Sequence, residues 1–378
     1  MLQDCVEVIK KGDSNGNGML IRIKLPSGHE ILGLPTENAY GGGWDLGPTW
    51  NYIVLDEKPF LVDTGKFGMG GRLLDMMKYA GISGKDLDFV MVSHGHEDHD
   101  GSLFEIAQST GAKVKGHDIY DRLIRFYPER APYDARKRFP ASCWRCSMPE
   151  SFSTKNCLEY QQTRSRLKIE VIENGCNNLS KSALSYHVPG HSPDSLAIFV
   201  AGEAVLVGDT VLPDITPWPT QESFFDQVRE ILKPQYCSAD SVYGLRAYIR
   251  SLAKLKEVGK GLGDLIVLPA HRLFYNGVWN EIDLMTRIDE LIEHHVQRCG
   301  AILEIVMKDA KTAREIAMEY FDAPLLKGFG ILMAENEVIS HCELLGAFGD
   351  VVPEEDEKFA ATGTMNFGSA IHSLKPNW

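Results

Sequence analysis

The segment from Ser93 to Gly101, SHGHEDHDG, holds three histidines and three carboxylates within nine residues. Imidazole nitrogen combined with carboxylate oxygen suits Zn²⁺, and it also accommodates iron or manganese. The apolar run at residues 89–92 comes directly before this segment and predicts a buried strand. Because a turn at a strand end can bring several side chains to one spot, the spacing predicts a metal site. The alternative is a polar loop whose histidines only form hydrogen bonds.

Three further candidate ligands are His191, Asp209 and His271. Asp209 and His271 come shortly after apolar runs that predict strands, and His191 lies in the turn-rich stretch HVPGHSPD. In an α/β fold built from packed sheets, side chains that follow strand ends at one edge lie close together and can form a site. His187, in the same stretch as His191, is predicted to be structural, since a spare histidine usually satisfies a hydrogen bond.

These motifs resemble those of the metallo-β-lactamase superfamily of metal-dependent hydrolases, over roughly residues 45–275. The run HGHEDH from His94 to His99 matches the H-x-H-x-D-H signature of that family. The tetrapeptide VDTG around Asp63 resembles the early aspartate motif that supports the metal loops from behind. The three later ligand positions are matched in chain order by His191, Asp209 and His271.

The resemblance implies an α/β fold, specifically an αββα sandwich, with two divalent metal ions in a shared site. The implied ligands are His94, His96 and His191 for the first ion, Asp98, His99 and His271 for the second, and Asp209 as the bridge. Zn²⁺ is the expected metal, with iron or manganese as alternatives. Such a centre lowers the pKa of bound water to about 7. The resemblance therefore implies that a bridging hydroxide attacks an ester-like bond, with Asp98 as the catalytic residue that could orient it.

A chain of 378 residues is long enough for two or three compact units. We predict a metallo-β-lactamase-like domain over residues 1–290, with a basic, cysteine-bearing insertion over residues 121–180. A small domain over residues 291–378 follows. The stretch GDTVLPDITP around Asp209 and the helical pattern RIDELIEHHVQR resemble a branch of the superfamily in which a small winged-helix-like domain follows the sandwich.

Hydrophobic periodicity locates the main elements. Short apolar or alternating runs predict strands over residues 19–25, 29–34, 51–55, 59–62, 89–92, 197–200, 204–207 and 265–268. The pattern at residues 72–80 predicts a helix. In the C-terminal region, Thr312 and Glu315 form a capping box for a helix over 313–321, and a second helix is expected over 337–345, ended by Gly346.

Residues 121–170 carry 11 Lys or Arg against 6 Asp or Glu, a net charge of +5, whereas the rest of the chain sums to −18. This cluster could hold the phosphates of a coenzyme A thioester or a nucleic-acid backbone, or it could be a solvated helix face. Its members are Arg122, Arg125, Arg130, Arg136, Lys137, Arg138 and Arg145. We take Arg136, Arg138 and Arg145 as the candidate substrate-binding residues.

Four cysteines fall in the same part of the chain, at Cys143, Cys146, Cys157 and Cys176. They could form a structural zinc site. Because the CxxC pair has no second CxxC partner, reduced structural thiols are the favoured interpretation.

The whole chain has a net charge of −13, which argues against a nucleic-acid coat and leaves room for a small anionic or acyl substrate. Residues 291–378 carry 7 basic and 14 acidic side chains, so the C-terminal unit is expected to line the cleft or form a homodimer contact rather than bind DNA. Packing roles are expected for His294, His295, Arg298 and His341. No run of about 18 apolar residues and no secretory signal occur, so we expect a cytoplasmic protein without a membrane partner.

Among the function classes, hydrolysis of a thioester such as an acyl-CoA is favoured. A phosphodiesterase or ribonuclease is one alternative, and the acidic charge argues against it. A lactonase is another, in which Tyr236 or Tyr243 could assist the developing oxyanion. A mononuclear-iron oxygenase or metal-free scaffold is disfavoured because all second-site ligands are present. A flavin-linked diiron oxygen reductase is disfavoured because no glutamate replaces the second signature histidine.

Overall fold

The computed structural model describes residues 2–38, 45–126, 157–328 and 330–378. The strands of these residues are β1 Val6–Lys10, β2 Leu20–Lys24, β3 Glu30–Thr36, β4 Thr49–Leu55, β5 Phe60–Val62, β6 Phe89–Met91, β7 Lys113–His117, β8 Ile169–Ile172, β9 Cys176–Asn178, β10 Ala183–His187, β11 Leu196–Val200, β12 Ala204–Gly208, β13 Ile266–Pro269, β14 Phe274–Tyr275, β15 Val278–Trp279, β16 Lys311–Thr312, β17 Val351–Pro353 and β18 Lys358–Ala361.

The α-helices of the same residues are α1 Leu2–Cys5, α2 Gly70–Tyr79, α3 Glu97–Asp100, α4 Leu103–Thr110, α5 Asp118–Arg125, α6 Cys157–Arg164, α7 Phe225–Val228, α8 Gly244–Lys260, α9 Leu284–Val306, α10 Ala313–Tyr320, α11 Gly330–Ala347 and α12 Phe367–Ser373. The strands and the helix that the sequence predicts are present, with ends that differ by one or two residues.

The first sheet contains, in the described part of the chain, eight strands in the order β1 to β8. Strands β1 to β5 pair antiparallel, and β5 to β8 pair parallel. Strands β5 and β6 are buried along their whole length, as expected for parallel strands covered on both faces. Since the parallel strands end at one edge, the segments that follow β5 and β6 meet there.

The second sheet has the order β13-β12-β11-β10-β9 among the described strands. Strands β9 to β12 form an antiparallel meander, and β12 pairs parallel with β13. The carboxyl ends of β10, β12 and β13 therefore lie at the same edge. This is the edge that carries the later candidate ligands.

The two sheets pack face to face and helices cover both outer faces. Between the sheets lies an apolar core that includes Trp50, Phe60 and Phe89 from the first sheet and Ile198 and Leu206 from the second. Helices α2 and α4 cover the outer face of the first sheet. Helices α8 and α9 cover that of the second. This arrangement confirms the predicted αββα sandwich.

The C-terminal region follows α9 with β16, α10, α11, β17, β18 and α12, and its strands form a sheet in the order β16-β18-β17. The capping box of Thr312 and Glu315 is present at the start of α10, as predicted. Gly346 was expected to end the second helix, but α11 continues through it to Ala347. The boundary at residue 290 falls inside α9, and the division into two domains stays a prediction.

Residues 169–178, placed in the insertion by the sequence, supply β8 and β9, the edge strands of the two sheets. These strands are short and half-exposed and lack the apolar signal of the central strands, and the insertion over residues 121–180 stays a prediction. No helix in the described ranges combines the length and the apolar character needed to cross a membrane.

Candidate metal centre

The candidate ligands all follow strand ends at one edge of the sandwich. Strand β6 ends at Met91, and the signature segment then turns into the short helix α3. Asp209 directly follows β12, His271 comes two residues after β13, and His191 lies in the turn between β10 and β11. The backbone N–H of Leu196 donates to the carbonyl of Ser93 over 2.8 Å, which ties the two sheets together at this edge.

Asp209 lies at the middle of the cluster, and its two carboxylate oxygens face different histidines. Its Oδ1 is 3.5 Å from Nε2 of His99 and 3.4 Å from Nε2 of His271. Its Oδ2 is 3.5 Å from Nε2 of His191. The edge of a tetrahedron around zinc with bonds of 2.0–2.1 Å measures about 3.3 Å. The separations therefore match neighbouring ligands of two ions that share Asp209.

The other ligand pairs have similar spacing. Nε2 of His94 is 3.1 Å from Nδ1 of His96, and Nε2 of His271 is 3.2 Å from Oδ2 of Asp98. The groups able to hold an ion are His94, His96 and His191; His94, His99 and Asp209; and Asp98, His99 and His271. The structure thus brings all seven sequence-predicted residues together. The first and third groups are the two sets that the resemblance implies, and the second joins one histidine of each set to Asp209. Their role as metal ligands stays a prediction.

Buried polar atoms without a hydrogen-bond partner lie within the cluster. They are Nε2 of His99, His191 and His271, and Oδ1 of Asp209. A buried polar atom without a partner is costly, and two divalent cations at the implied sites would satisfy these four atoms. The donor set of the chain therefore fits the two divalent ions that the sequence predicts.

Four histidines of the cluster have Nδ1 held from outside it, so that Nε2 faces inward. Nδ1 of His191 donates to the carbonyl of Trp218 over 2.7 Å, and Nδ1 of His271 lies 3.3 Å from the carbonyl of Pro48. A carbonyl can only accept, so each ring keeps a proton on Nδ1 and directs Nε2 at the cluster.

Asp63 supports the other two rings, as the resemblance implies. Its Oδ1 accepts from the backbone N–H of Ser93 and its Oδ2 from the hydroxyl of Ser93, both over 2.7 Å. Oδ2 also lies 2.9 Å from Nδ1 of His99. Since the Ser93 hydrogen is committed to Asp63, the Ser93 oxygen accepts from Nδ1 of His94 over 3.0 Å. Asp63 itself adopts a positive φ of 64°, a strained conformation typical of functional sites.

Burial and charge set the protonation states of the cluster residues in different directions. Despite burial, the carboxylates of Asp209 and Asp98 raise the pKa of His271 to about 9, so an incoming ion must displace a proton from this ring. Burial and the neighbouring imidazoles hold the pKa of His94 well below its ordinary value, and they lower the pKa of His96 to about 3. Although burial alone would raise the pKa of Asp209, the charges of His271 and His99 hold it well below its ordinary value. At neutral pH, His94 and His96 are therefore neutral donors and Asp209 is an anion.

A buried ion pair that the sequence did not predict braces the signature segment. Nη1 of Arg164, at the end of α6, donates to Oδ2 of Asp100 over 3.1 Å and to the carbonyl of Gly95 over 3.3 Å. The hydroxyls of Tyr120 and Tyr160 also donate to Asp100. This network fixes the backbone between the first two signature histidines.

Other supporting groups were missed for physical reasons. Nδ2 of Asn38 donates to Oδ2 of Asp98 over 2.8 Å, and no motif marks Asn38. Trp218 and Pro48 contribute only backbone carbonyls, which every residue type possesses. The prolines near Trp218 are the available signal that this loop has a fixed shape.

Several predicted residues lie outside the described ranges, namely Arg130, Arg136, Lys137, Arg138, Arg145, Cys143 and Cys146. The side chain of Cys157 also lies outside them, and Cys176 is an exposed free thiol. The zinc site and the substrate-binding arginines therefore stay predictions. Arg122 instead pairs with Asp118, and Arg125 with Asp121, along α5.

Four histidines outside the cluster, His117, His187, His295 and His341, make structural contacts. His187 stacks on His117 with ring centroids 3.8 Å apart, and its Nε2 donates to the carbonyl of Pro193. Nδ1 of His295 lies 3.1 Å from Nε2 of His341, whose Nδ1 donates to a backbone carbonyl one turn earlier. These bonds are consistent with the expected packing roles.

His295 and His341 also form a possible ligand group with Glu337. Arg298 ion-pairs with Glu337 and already neutralises its charge, so this group is poorly suited to an ion. His294 is half-buried nearby, and burial lowers its pKa to about 4.

The two tyrosines considered for oxyanion assistance differ in their surroundings. The hydroxyl of Tyr236 donates to Oδ1 of Asn174 over 2.9 Å and is therefore occupied. Burial and the charge of Asp194 raise the pKa of Tyr243, so its hydroxyl stays protonated.

A four-layer αββα sandwich with a histidine and aspartate cluster at one edge defines a class of metal-dependent hydrolases. A family model described as the Metallo-beta-lactamase superfamily matches residues 44–271. The chain belongs to this superfamily.

Comparisons with individual proteins agree with the fold. A beta-lactamase domain protein from Burkholderia ambifaria has a TM-score of 0.64 and 18% identity, with 96% of this chain and 98% of that chain covered. A metallo-beta-lactamase family protein from Thermus thermophilus has a TM-score of 0.61 and 19% identity, with 88% and 98% covered. An uncharacterised protein from Methanocaldococcus jannaschii is 34% identical over 97 residues, which span 25% of this chain and 24% of that protein.

Proposed function

We propose that this protein hydrolyses a thioester such as an acyl-CoA by means of two divalent metal ions. The observation that carries the metal-dependent step is the position of Asp209, whose two oxygens face His191 on one side and His99 and His271 on the other. Two divalent ions at these ligands would lower the pKa of a bound water to about 7 and polarise the carbonyl under attack.

The residues of the chain supply a preorganised set of donors. Nδ1–H bonds hold the rings of His94, His99, His191 and His271 with Nε2 directed at the centre, so these rings need no reorientation before an ion binds. Asp98 and His96 are the partly exposed members of the cluster, whereas His94, His99 and His271 are buried. Substrate therefore reaches the cluster on the side of Asp98. Asn38 fixes one oxygen of Asp98, which suits Asp98 to orient the attacking water.

The choice of a thioester rests on charge. Residues 121–170 have a net charge of +5 in a chain of net −13, and α6 at the end of this segment contacts the signature loop through Arg164. We expect a cationic segment that ends at the signature loop to suit the phosphates of coenzyme A. We therefore propose that the substrate is a small anionic or acyl compound.

A substrate comparison tests the proposal. The zinc-loaded protein is assayed with an acyl-CoA, with the same acyl group on N-acetylcysteamine, with a lactone and with a phosphodiester. The acyl-CoA should give the highest kcat/KM, about 10-fold above the thioester that lacks phosphates, and added salt should narrow that difference. His271→Ala controls for contaminating hydrolases. A preference for the lactone or the phosphodiester, or equal rates for both thioesters, would contradict the proposal.

A further inference from the structure

The loop that follows Asp209 connects the candidate metal centre to the C-terminal helices. The carbonyl of Trp218 in this loop accepts from Nδ1 of His191 over 2.7 Å. Two residues later, the N–H of Thr220 donates to the carbonyl of Gly190 over 2.9 Å, and its hydroxyl donates to the same carbonyl. The loop therefore determines where the ring of His191 is held.

The loop has little structure of its own. Residues 212–220 contain three prolines, at Pro213, Pro217 and Pro219, and proline has no N–H to donate. Regular structure resumes only with a short 3₁₀ turn at Glu222–Phe224. The position of the Trp218 carbonyl must therefore be fixed largely by groups outside the loop.

Those groups come from α9 and α11. On α9, Arg287 donates from Nε to the carbonyl of Leu212 over 2.7 Å and from Nη2 to that of Ile215 over 3.1 Å. On α11, Nδ2 of Asn336 donates to the carbonyl of Pro219 over 2.9 Å.

Asn336 is also bonded through its other polar atom. Its Oδ1 accepts from Nε2 of Gln221 over 2.7 Å, so the amide is bonded to the loop on both sides of Thr220. Asn336 is 3% exposed and Gln221 1%. About two turns further along α11, the Glu343 carboxylate accepts from the N–H groups of Glu222 and Ser223.

We infer that Asn336 is a positioning residue for His191, and that α11 thereby sets the affinity of the metal site formed by His94, His96 and His191. The peptide group held by Asn336 is the neighbour of the one that holds Nδ1 of His191. Removing the Asn336 amide leaves the Pro219 carbonyl and the Gln221 amide without these bonds in a buried place, and the loop shifts to regain them. The inference rests on the metal binding of the proposed function and is independent of the substrate.

The test compares Asn336→Ala with Glu337→Gln, the adjacent residue of the same helix. Glu337 is also buried, but it pairs with Arg298 of α9 and makes no bond to the loop. Affinities for Zn²⁺ at both sites are measured by competition with a chromophoric chelator, and the unfolding of the metal-free proteins is measured alongside. Asn336→Ala should weaken zinc binding about 10-fold at the site that includes His191 and change the affinity of the other site by less than about 2-fold. Glu337→Gln should not change the affinity of either site selectively.

A second measurement uses the metal-free protein. The ¹⁵N shifts of the His191 ring should report protonation at Nδ1 in the wild type and a mixture of tautomers in Asn336→Ala. Asn336→Asp, which keeps the shape and the acceptor for Gln221, gives the same readouts if the alanine variant does not fold.

Unchanged affinities and unchanged ring shifts in these variants would overturn the inference. The inference would also be overturned if Asn336→Ala lowered the zinc affinity of both sites equally, in the same proportion to its loss of stability as Glu337→Gln. Asn336 would then be only structural. Absence of hydrolytic activity would count against the proposed function, but the zinc affinities and the His191 ring shifts would still test this inference.

Discussion

At the scale of the residue, the cluster is defined by which nitrogen of each histidine faces inward. A histidine ring can present either nitrogen, and only an external partner selects one. Here carbonyl groups hold Nδ1 of His191 and His271, and Asp63 with Ser93 holds Nδ1 of His99 and His94. Nε2 of each of these four rings is therefore directed at the centre before any ion arrives, which favours tight binding.

Gly190 shows how closely His191 is packed. A Cβ at Gly190 would lie 2.3 Å from the backbone N and Cα of Tyr248, and the residue has a φ of +131°. Gly190→Ala should therefore lower the free energy of unfolding by more than about 3 kcal/mol, since strain and a backbone clash add.

Urea unfolding of the metal-free variants measures this effect, and Gly28→Ala is the matched control. Gly28 also has a positive φ, of +91°, but nothing lies within 4 Å of its Cβ position, so only about 1–2 kcal/mol should be lost. Equal losses in the two variants would show that Tyr248 does not restrict this turn.

At the scale of the element, short buried strands deliver the ligands and helices fix the turns. Strands β6, β12 and β13 are predictable because apolar runs of four or five residues precede polar ligands in the sequence. The turn with His191 depends on α8, because Ser251 of that helix donates to the carbonyl of Pro189 over 2.7 Å. Such long-range contacts leave no pattern in the local sequence.

Lys254 gives α8 a pH-dependent contribution to stability. It is buried, donates to the carbonyl of His187 over 3.1 Å, and burial lowers its pKa to about 8. In the unfolded chain the pKa of lysine is about 10.4. Between these two pKa values the unfolded chain binds more protons than the folded protein, so the contribution of Lys254 to the free energy of unfolding rises with pH. Below a pH of about 8, Lys254 is protonated in both states and its contribution is constant.

Comparison of the wild type with Lys254→Met isolates this effect. The free energy of unfolding of the wild type, relative to the variant, should increase from pH 8 to pH 10 by at most about 1.4 kcal/mol per pH unit. Urea unfolding at a series of pH values provides the measurement. A difference that stays flat, or one that falls with pH, would show that Lys254 is not deprotonated in the folded protein.

At the scale of the whole molecule, a four-layer sandwich gathers the ligands and the C-terminal helices brace one of their loops. The αββα fold and all seven cluster residues could be predicted, because ligand chemistry restricts those positions to histidine and aspartate. The role of Asn336 could not be predicted, since the Pro219 carbonyl to which it donates lies 117 positions away in the sequence. The role of the Trp218 carbonyl could not be predicted either, because every residue type has a backbone carbonyl.

The proposed function requires that the cluster holds two divalent ions that share Asp209. The most direct test is the molar ratio of zinc to protein after reconstitution and removal of excess metal, measured by elemental analysis. The wild type should hold two ions, His191→Ala and His271→Ala one each, and Asp209→Ala fewer than two with loss of hydrolysis. One ion or none in the wild type, or two ions and full activity in Asp209→Ala, would contradict it.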